Sequence, residues 1–182
     1  MQLHQITVEY VAPEDRLLLH LSTQTGERLS LWITRRLLLA LYGPLHQAVS
    51  RAHVAAEWGA VPLSEGAADL LAESARAQAL RDADFATPPQ ASAGSRPLLE
   101  GVIPVVGEVT LSVPVGSDAA GQLTIRWRTT DGRDVELNVP AAAATALQTL
   151  LLQGAERGGW GLAAPDGETA RTQEASGPRF MN

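Results

Sequence analysis

The feature of this sequence that most constrains its fold is a pattern that occurs twice. Residues 16–34, RLLLHLSTQTGERLSLWIT, align without gaps on residues 122–140, QLTIRWRTTDGRDVELNVP, and the alignment matches Gly26 with Gly132. Nearly every apolar position of one segment meets an apolar position of the other, and the apolar residues alternate with other residues. Because alternation is the period of a β-strand, each segment predicts a hairpin with one apolar face.

The loop of each predicted hairpin follows if the apolar faces of its two strands coincide. Leu21 then lies opposite Leu29, and Trp127 lies opposite Val135. This register leaves three-residue loops that both end in glycine. A type I turn that closes with a left-handed residue has this form, and glycine adopts that conformation without strain.

Another alternating segment precedes each hairpin, and a helical pattern follows it. The first helix starts with Thr34 as its N-cap and is expected to break or kink at Gly43–Pro44, and the second starts at Pro140. The predicted fold class is α+β: two pseudo-repeated units, each a three-stranded antiparallel meander plus a helix (βββα), joined by a helix and a flexible linker. Since one such unit would be only marginally stable alone, the two units are expected to share a core.

This interpretation divides the chain into five stretches. The first βββα unit covers residues 1–58, and the second covers residues 100–157. Between them, residues 63–84 have the pattern of a connecting helix, and residues 86–99 have the proline, serine and glycine content of a flexible linker. Residues 158–182 lack periodicity and are expected to form a disordered tail.

The predicted register also assigns side chains to the outer face of each hairpin. In the second copy, Arg126 lies opposite Glu136 and Arg128 lies opposite Asp134, which predicts a solvated face with cross-strand ion pairs. Trp127, between the two arginines, points inward. The Arg-Trp-Arg motif is therefore predicted to be structural and not a nucleic-acid patch.

In the first copy the same register places Leu18 opposite Trp32, so this outer face is partly apolar. A tryptophan buries ~150–250 Å², which corresponds to roughly 4–6 kcal/mol and predicts that something covers it. Three covers lie within the chain: the connecting helix, the kinked end of the first helix, and Trp160 with Leu162. The other candidate is a partner, either a second copy of the chain or another protein.

Arg35 and Arg36 follow Trp32 at the start of the first helix, where positive charge opposes the helix dipole. Arginine and tryptophan commonly anchor interfaces, so the predicted contact surface comprises Leu18, Trp32, Arg35 and Arg36. The two arginines are suited to an acidic segment, a C-terminal carboxylate or a phosphate. The alternative is that they are solvated or form internal ion pairs.

The composition excludes several kinds of chemistry and partner. All 14 basic residues are arginine and cysteine is absent, which excludes a P-loop lysine, a Schiff base, a thiol nucleophile and a thiolate metal site. The net charge of −6 argues against nucleic acid. No apolar run approaches the roughly 20 residues that cross a bilayer, and no signal-peptide pattern is present. We therefore expect a cytoplasmic protein, bacterial by its composition, with no nucleic-acid or membrane partner.

The histidines provide one candidate metal site. His53 and Glu57 are four residues apart on the first helix, and His46 lies one heptad before His53, so the three side chains would share a face. The spacing is not HExxH, and an ordinary surface ion pair is the alternative. No nucleophile elbow or dinucleotide-binding glycine motif occurs. The sequence predicts no cofactor and no catalytic residue.

These patterns favour a non-enzymatic protein-binding module, such as an assembly factor, an adaptor or an accessory subunit, which uses the outer face of the first sheet. Two alternatives remain open. One is a small-molecule-binding or catalytic subunit with a site between the two repeats. The other is a structural component of a larger particle.

Overall fold

The computed structural model describes residues 3–59, 63–83, 96–114 and 120–162. These residues form an α+β fold with two β-sheets and three α-helices. A short 3₁₀ turn, Ala12–Glu14, joins the first two strands. The elements in chain order are β1 (Leu3–Val11), β2 (Arg16–Thr23), β3 (Glu27–Thr34), α1 (Arg35–Trp58), α2 (Glu65–Asp82), β4 (Arg96–Pro97), β5 (Val106–Ser112), β6 (Gln122–Thr129), β7 (Asp134–Pro140) and α3 (Ala141–Arg157).

The two sheets differ in size and meet at one backbone contact. The first has the order β1-β2-β3-β4, in which β1, β2 and β3 are antiparallel and the two-residue β4 is parallel to β3. The second is the antiparallel meander β5-β6-β7. Just before β5, Val105 forms a parallel bridge with Trp32, and the Trp32 N–H donates to the carbonyl of Pro104 at 2.9 Å. The alternating patterns predicted neither β4 nor this junction.

Both hairpins have the predicted register. Trp32 lies opposite Leu18 between β2 and β3, and Trp127 lies opposite Val135 between β6 and β7. Gly26 and Gly132 close the loops with φ angles of 80° and 86°, in the left-handed region. The N–H of each glycine donates to the carbonyl three residues earlier, at 3.1 and 3.0 Å. The chemistry of the turn and the apolar pattern together fix the register.

Helix α1 begins as predicted and is not broken at Gly43–Pro44, where a break or a kink was expected. Thr34 caps it, because its side chain accepts a hydrogen bond from the N–H of Leu37 at 3.2 Å. The helix then runs through Gly43–Pro44 to Trp58. Proline removes one helical hydrogen bond, but Leu41 and Leu45 on either side of it are buried in the core. That packing holds the two parts of the helix together.

Each sheet packs against the helix that follows the other sheet. Helix α1 contacts β5 and β6, and helix α3 contacts β1 and β2. These two helices also contact each other, and α2 packs on both of them. Helix α1 approaches β6 so closely that a Cβ at Gly121 would lie 2.5 Å from the Cβ of Ala56. The inner faces of both sheets and of the two helices therefore form one hydrophobic core. None of the helices described is long and apolar enough to span a bilayer.

The region between α2 and β5 is more ordered at its end than the sequence predicted. Residues 96–97 of the predicted linker form β4, and the N–H of Leu98 donates to the carbonyl of Arg28 at 2.7 Å. Backbone hydrogen bonds do not depend on side-chain type, so the proline- and serine-rich composition, which predicted a flexible linker, gave no sign of them. The other linker residues up to 95 lie outside the described part of the chain.

The predicted tail begins too early. Trp160 is 2% exposed and belongs to the core. Its N–H donates to the carbonyl of Ala155 at 2.9 Å, so the chain folds back at the end of α3. One large buried aromatic side chain orders this glycine-rich stretch despite its lack of periodicity. Residues 163–182 lie outside the described residues.

Candidate protein-binding face

The outer face of the first sheet carries a row of three apolar side chains. Leu31 and Ile33 are buried in the core, so Trp32 between them points to the opposite face. Leu18 lies directly opposite Trp32 on β2, and the parallel bridge places Val105 on its other side. Leu18, Trp32 and Val105 are each half-buried. They form the outer row.

The outer face of the second sheet differs in chemistry. Arg126 pairs with Glu136 at 2.9 Å, and Arg128 lies 3.6 Å from Asp134, as the register predicted. All four side chains are exposed. Trp127 is 1% exposed and points inward. Each cation on this face has an adjacent anion, so the face can be solvated without a binding partner.

The three intramolecular covers proposed for Trp32 pack elsewhere. Helix α2 packs on α1 and α3. Trp160 meets the ring of Tyr10 edge-on, with centroids 6.0 Å apart, and its Nε1–H donates to Asp15 at 2.9 Å. Leu162 packs against the core, as do the buried leucines near the proline of α1. The helices of the described residues therefore pack on the inner face or on one another.

The two arginines at the start of α1 have different surroundings. The Nη2 of Arg35 donates to the carbonyl of Trp160 at 3.4 Å. Its charge also contributes to the lowered pKa of Asp15, although hydrogen bonds from Trp160 and Tyr10 are the larger causes. Arg35 is exposed and has an internal hydrogen bond, but among the residues described it forms no ion pair of the kind offered as the alternative. Arg36 is exposed and, within the described ranges, forms no hydrogen bond or ion pair.

Two further arginines give this face a positive rim. Arg16 lies at the Thr34 end of the hairpin, where its nearest acid is Glu14 at 3.8 Å. Arg28 is exposed at the other end of β3. Together with Arg36 they form the basic rim of the outer row. Arg16 and Arg28 flank the apolar row along the strands, whereas the exposed Glu9 of β1 lies opposite Leu18 at one end of the row. The net charge of the chain is −6.

A polar cluster that the sequence did not predict joins the three helices. Nη1 of Arg76, on α2, lies 2.7 Å from Nε2 of His46, on α1. The side-chain amide of Gln148, on α3, lies 3.0 Å from Nδ1 of the same ring. Arg76 also donates to Glu73 at 2.7 Å. We call His46, Arg76 and Gln148 the helix-junction cluster.

The geometry of this cluster requires a neutral imidazole. A guanidinium can only donate hydrogen bonds, so a ring nitrogen of His46 must accept one from Arg76. Burial lowers the pKa of His46, and the charge of Arg76 lowers it further against the weaker opposing effects of Glu73 and Asp69. The cluster is a polar connection between helices.

The residues proposed for a metal site have different surroundings and do not form a group that could hold a metal ion. His53 is buried, and its Nε2 lies 2.8 Å from Oγ1 of Thr145 on α3. Glu57 is exposed one turn further along α1. The surface ion pair offered as the alternative is also wrong for His53, because α3 packs over that face of α1. The described residues contain no group of three or more histidines and acids able to hold a metal ion.

One sequence signal pointed to these buried polar contacts. Thr145 and Gln148 interrupt the apolar face that Ala144, Leu147 and Leu151 form on α3. Polar side chains at such positions are hydrogen-bonded when buried. Pairing them with the histidines of α1 required the packing of the two helices, which no local pattern contains.

Comparisons with models of protein families, with curated proteins and with solved structures found no significant match to this chain.

Proposed function

We propose that this chain is a non-enzymatic protein-binding module, such as an assembly factor, an adaptor or an accessory subunit, and that the outer row is its contact surface. The observation that carries the proposal is the contrast between the two sheets. The second sheet has an outer face of exposed ion pairs, whereas the first presents Leu18, Trp32 and Val105 side by side. A contiguous apolar row with a polar border is typical of protein interfaces.

The basic rim favours an acidic partner over a second copy of the chain. In a twofold dimer the same patch meets itself, so Arg16, Arg28 and Arg36 would face one another. A different protein with apolar and acidic side chains would complement both the row and its rim. Arg35 supports the surface indirectly, since its bond to Trp160 fixes the start of α1 beside Trp32.

The two halves are, in this proposal, copies of one βββα unit. The support is that both hairpins have the same loop length, the same closing glycine and the same register. If the halves are duplicates, each residue of the first hairpin can be compared with the residue at the same position of the second. Asn138 then occupies the position that corresponds to Trp32, and its side chain accepts a hydrogen bond from Thr124 at 2.7 Å.

The test is quantitative affinity enrichment from the protein's own cells with three baits: wild type, Trp32→Ala and Asn138→Ala. A partner should be captured equally by wild type and Asn138→Ala, and about tenfold or more weakly by Trp32→Ala, as expected for a central aromatic anchor. Arg36→Glu should also weaken capture, because it reverses the rim charge. This loss should be larger at low salt than at high salt, since salt screens the charge.

Two controls decide the interpretation. Thermal unfolding of the three baits should show that Trp32→Ala retains its fold. Light scattering should give one protomer mass for wild type at all concentrations. Equal capture by all three baits contradicts the proposal, and a dimer that dissociates on Trp32→Ala would assign the outer row to self-association.

A further inference from the structure

Within the described residues, the first strand of the second sheet has an unpaired edge beside a helix. Strand β5 pairs with β6 on one side, and on the other side the described chain forms a bridge to Trp32 only at Val105, just before the strand begins. Between its other edge, residues 107–111, and helix α1 lies a cavity of about 490 Å³. Leu37, Leu41 and Pro44 form most of the apolar helix wall, and Arg51 lines the same cavity. We call this cavity the β5–α1 groove.

The hydrogen-bonding parity of the sheet shows which backbone groups face the groove. The N–H of Thr129 donates to the carbonyl of Arg133 at 2.8 Å, so the odd-numbered residues of β6 bond to β7 and the even-numbered ones bond to β5. Thr110 pairs with an even-numbered residue and is therefore bonded to β6. Val109 and Leu111 direct their N–H and C=O groups away from β6, into the groove.

The first sheet confirms this reasoning independently. The same parity, counted from the hairpin loop, predicts that the N–H of Trp32 points away from β2. That N–H donates to the carbonyl of Pro104 at 2.9 Å, on the far side of β3.

The described edge of β5 has one charged side chain, Glu108, as its protection against pairing. Exposed edge strands are commonly blocked by lysine, proline or an irregular backbone. Strand β5, VGEVTLS, contains neither residue type, and its one irregularity lies at its start, between Val106 and Glu108. From Glu108 to Ser112 the strand is regular, so the outward backbone groups of Val109 and Leu111 lie in register for an added strand.

We propose that the β5–α1 groove binds an extended segment of another protein, which adds to β5 as a further strand. Its alternate apolar side chains would pack against Leu37, Leu41 and Pro44. Arg51 is exposed and, among the described residues, has no ion pair, so an acidic side chain or a terminal carboxylate suits that part of the groove.

One feature favours a single strand over a second copy of the chain, and another favours this groove over the cavity beside β1. A second copy that docked through β5 would bring its own α1 as well as its strand to the groove. The comparable cavity beside β1 measures about 420 Å³ and is lined also by Asp82 and Ala83 of α2. Among the described residues, the lining of the β5–α1 groove comes from two elements, β5 and α1.

The test uses the full chain and a library of random linear dodecapeptides displayed on phage. Selected peptides should bind wild type and lose about tenfold or more affinity for Ala40→Trp, which fills the groove from an exposed position on α1. Ala142→Trp, the same substitution in the cavity beside β1, should leave affinity unchanged. Val109→Pro should also abolish binding, because it removes an outward N–H without a bond to β6.

Amide hydrogen exchange by NMR distinguishes an added strand from other modes of binding. Saturating peptide should slow exchange at Val109 and Leu111 by about tenfold or more, while Thr110, already bonded to β6, should change little. Peptides that bind Ala40→Trp as well as wild type, or a selection that enriches none, would overturn the proposal. Peptides lost on Trp32→Ala but retained on Ala40→Trp would belong to the outer row, which overturns the groove and leaves the proposed function standing.

Exchange in the free protein tests the remaining occupants. Protection of Val109 and Leu111 that grows with protein concentration would assign the edge to a second copy. Protection that is independent of concentration would assign it to another part of the same chain. Either result would overturn binding of a partner segment.

Discussion

The two tryptophans of the core differ in whether the indole N–H has a partner. The Nε1–H of Trp160 donates to Asp15 at 2.9 Å. The Nε1 of Trp127 is buried without a hydrogen-bond partner in the described residues. A buried donor left unsatisfied costs about 1–3 kcal/mol, so Trp127 stabilises the core less than its size suggests.

Replacing each tryptophan by phenylalanine tests this difference. Both changes remove similar volume, but only Trp160→Phe loses a hydrogen bond, while Trp127→Phe removes the unsatisfied donor. We expect urea titrations to show a smaller loss of unfolding free energy for Trp127→Phe than for Trp160→Phe. The difference between the two losses should be up to about 1–3 kcal/mol. An equal or larger loss for Trp127→Phe would show that its N–H has a partner in solution.

Among the three α-helices of the described residues, α2 has the fewest buried apolar residues. Only Ala72 and Ala79 are buried on it, and Leu70 is 76% exposed. Its main specific contact is Arg76, whose side chain is 14% exposed and meets His46. Because that contact requires a neutral imidazole, we expect the docking of α2 to depend on pH.

The pH dependence has a definite sign. The folded protein lowers the pKa of His46 and of His53 from 6.5, mainly through burial. Below about pH 6.5 the unfolded chain therefore binds protons that the folded chain does not, and stability falls as the pH falls. The slope is at most about 1.4 kcal/mol per pH unit for each histidine.

Urea unfolding between pH 7.5 and 5 measures this slope. We expect His46→Gln to reduce it, because glutamine still accepts a hydrogen bond from Arg76 and does not titrate. An unchanged slope in His46→Gln would mean that the helix-junction cluster does not titrate during unfolding.

Local patterns predicted the hairpins and the start of α1, since turn chemistry, alternation and a capping threonine each lie within a few residues. The same register placed Leu18 beside Trp32 before any tertiary contact was known. It could not place Val105 there, because a backbone bridge between distant segments leaves no periodic trace. The partners of His46 and His53 were missed for a related reason: they depend on which helices meet.

At the scale of the molecule, each sheet packs against the helix that follows the other sheet. We expect this arrangement to join the two sheets into one folding unit. The first sheet packs against α3, and the second packs against α1. Without α3, the buried side chains Val8, Leu17 and Leu19 would lose much of their cover. A 59-residue fragment with one sheet and one helix would therefore lack the partner that completes its core.

Fragments provide the test of this unit. We expect residues 1–83 alone to show no cooperative thermal transition, whereas the full chain shows a single one by circular dichroism and by tryptophan fluorescence. Mixing residues 1–83 with residues 96–182 should restore a cooperative transition, since each fragment supplies the helix that the other sheet needs. If the first fragment alone melts cooperatively, or the full chain melts in two steps, the sheets fold independently. The contact between them would then orient two stable parts, and the outer row and the β5–α1 groove would belong to separate folding units.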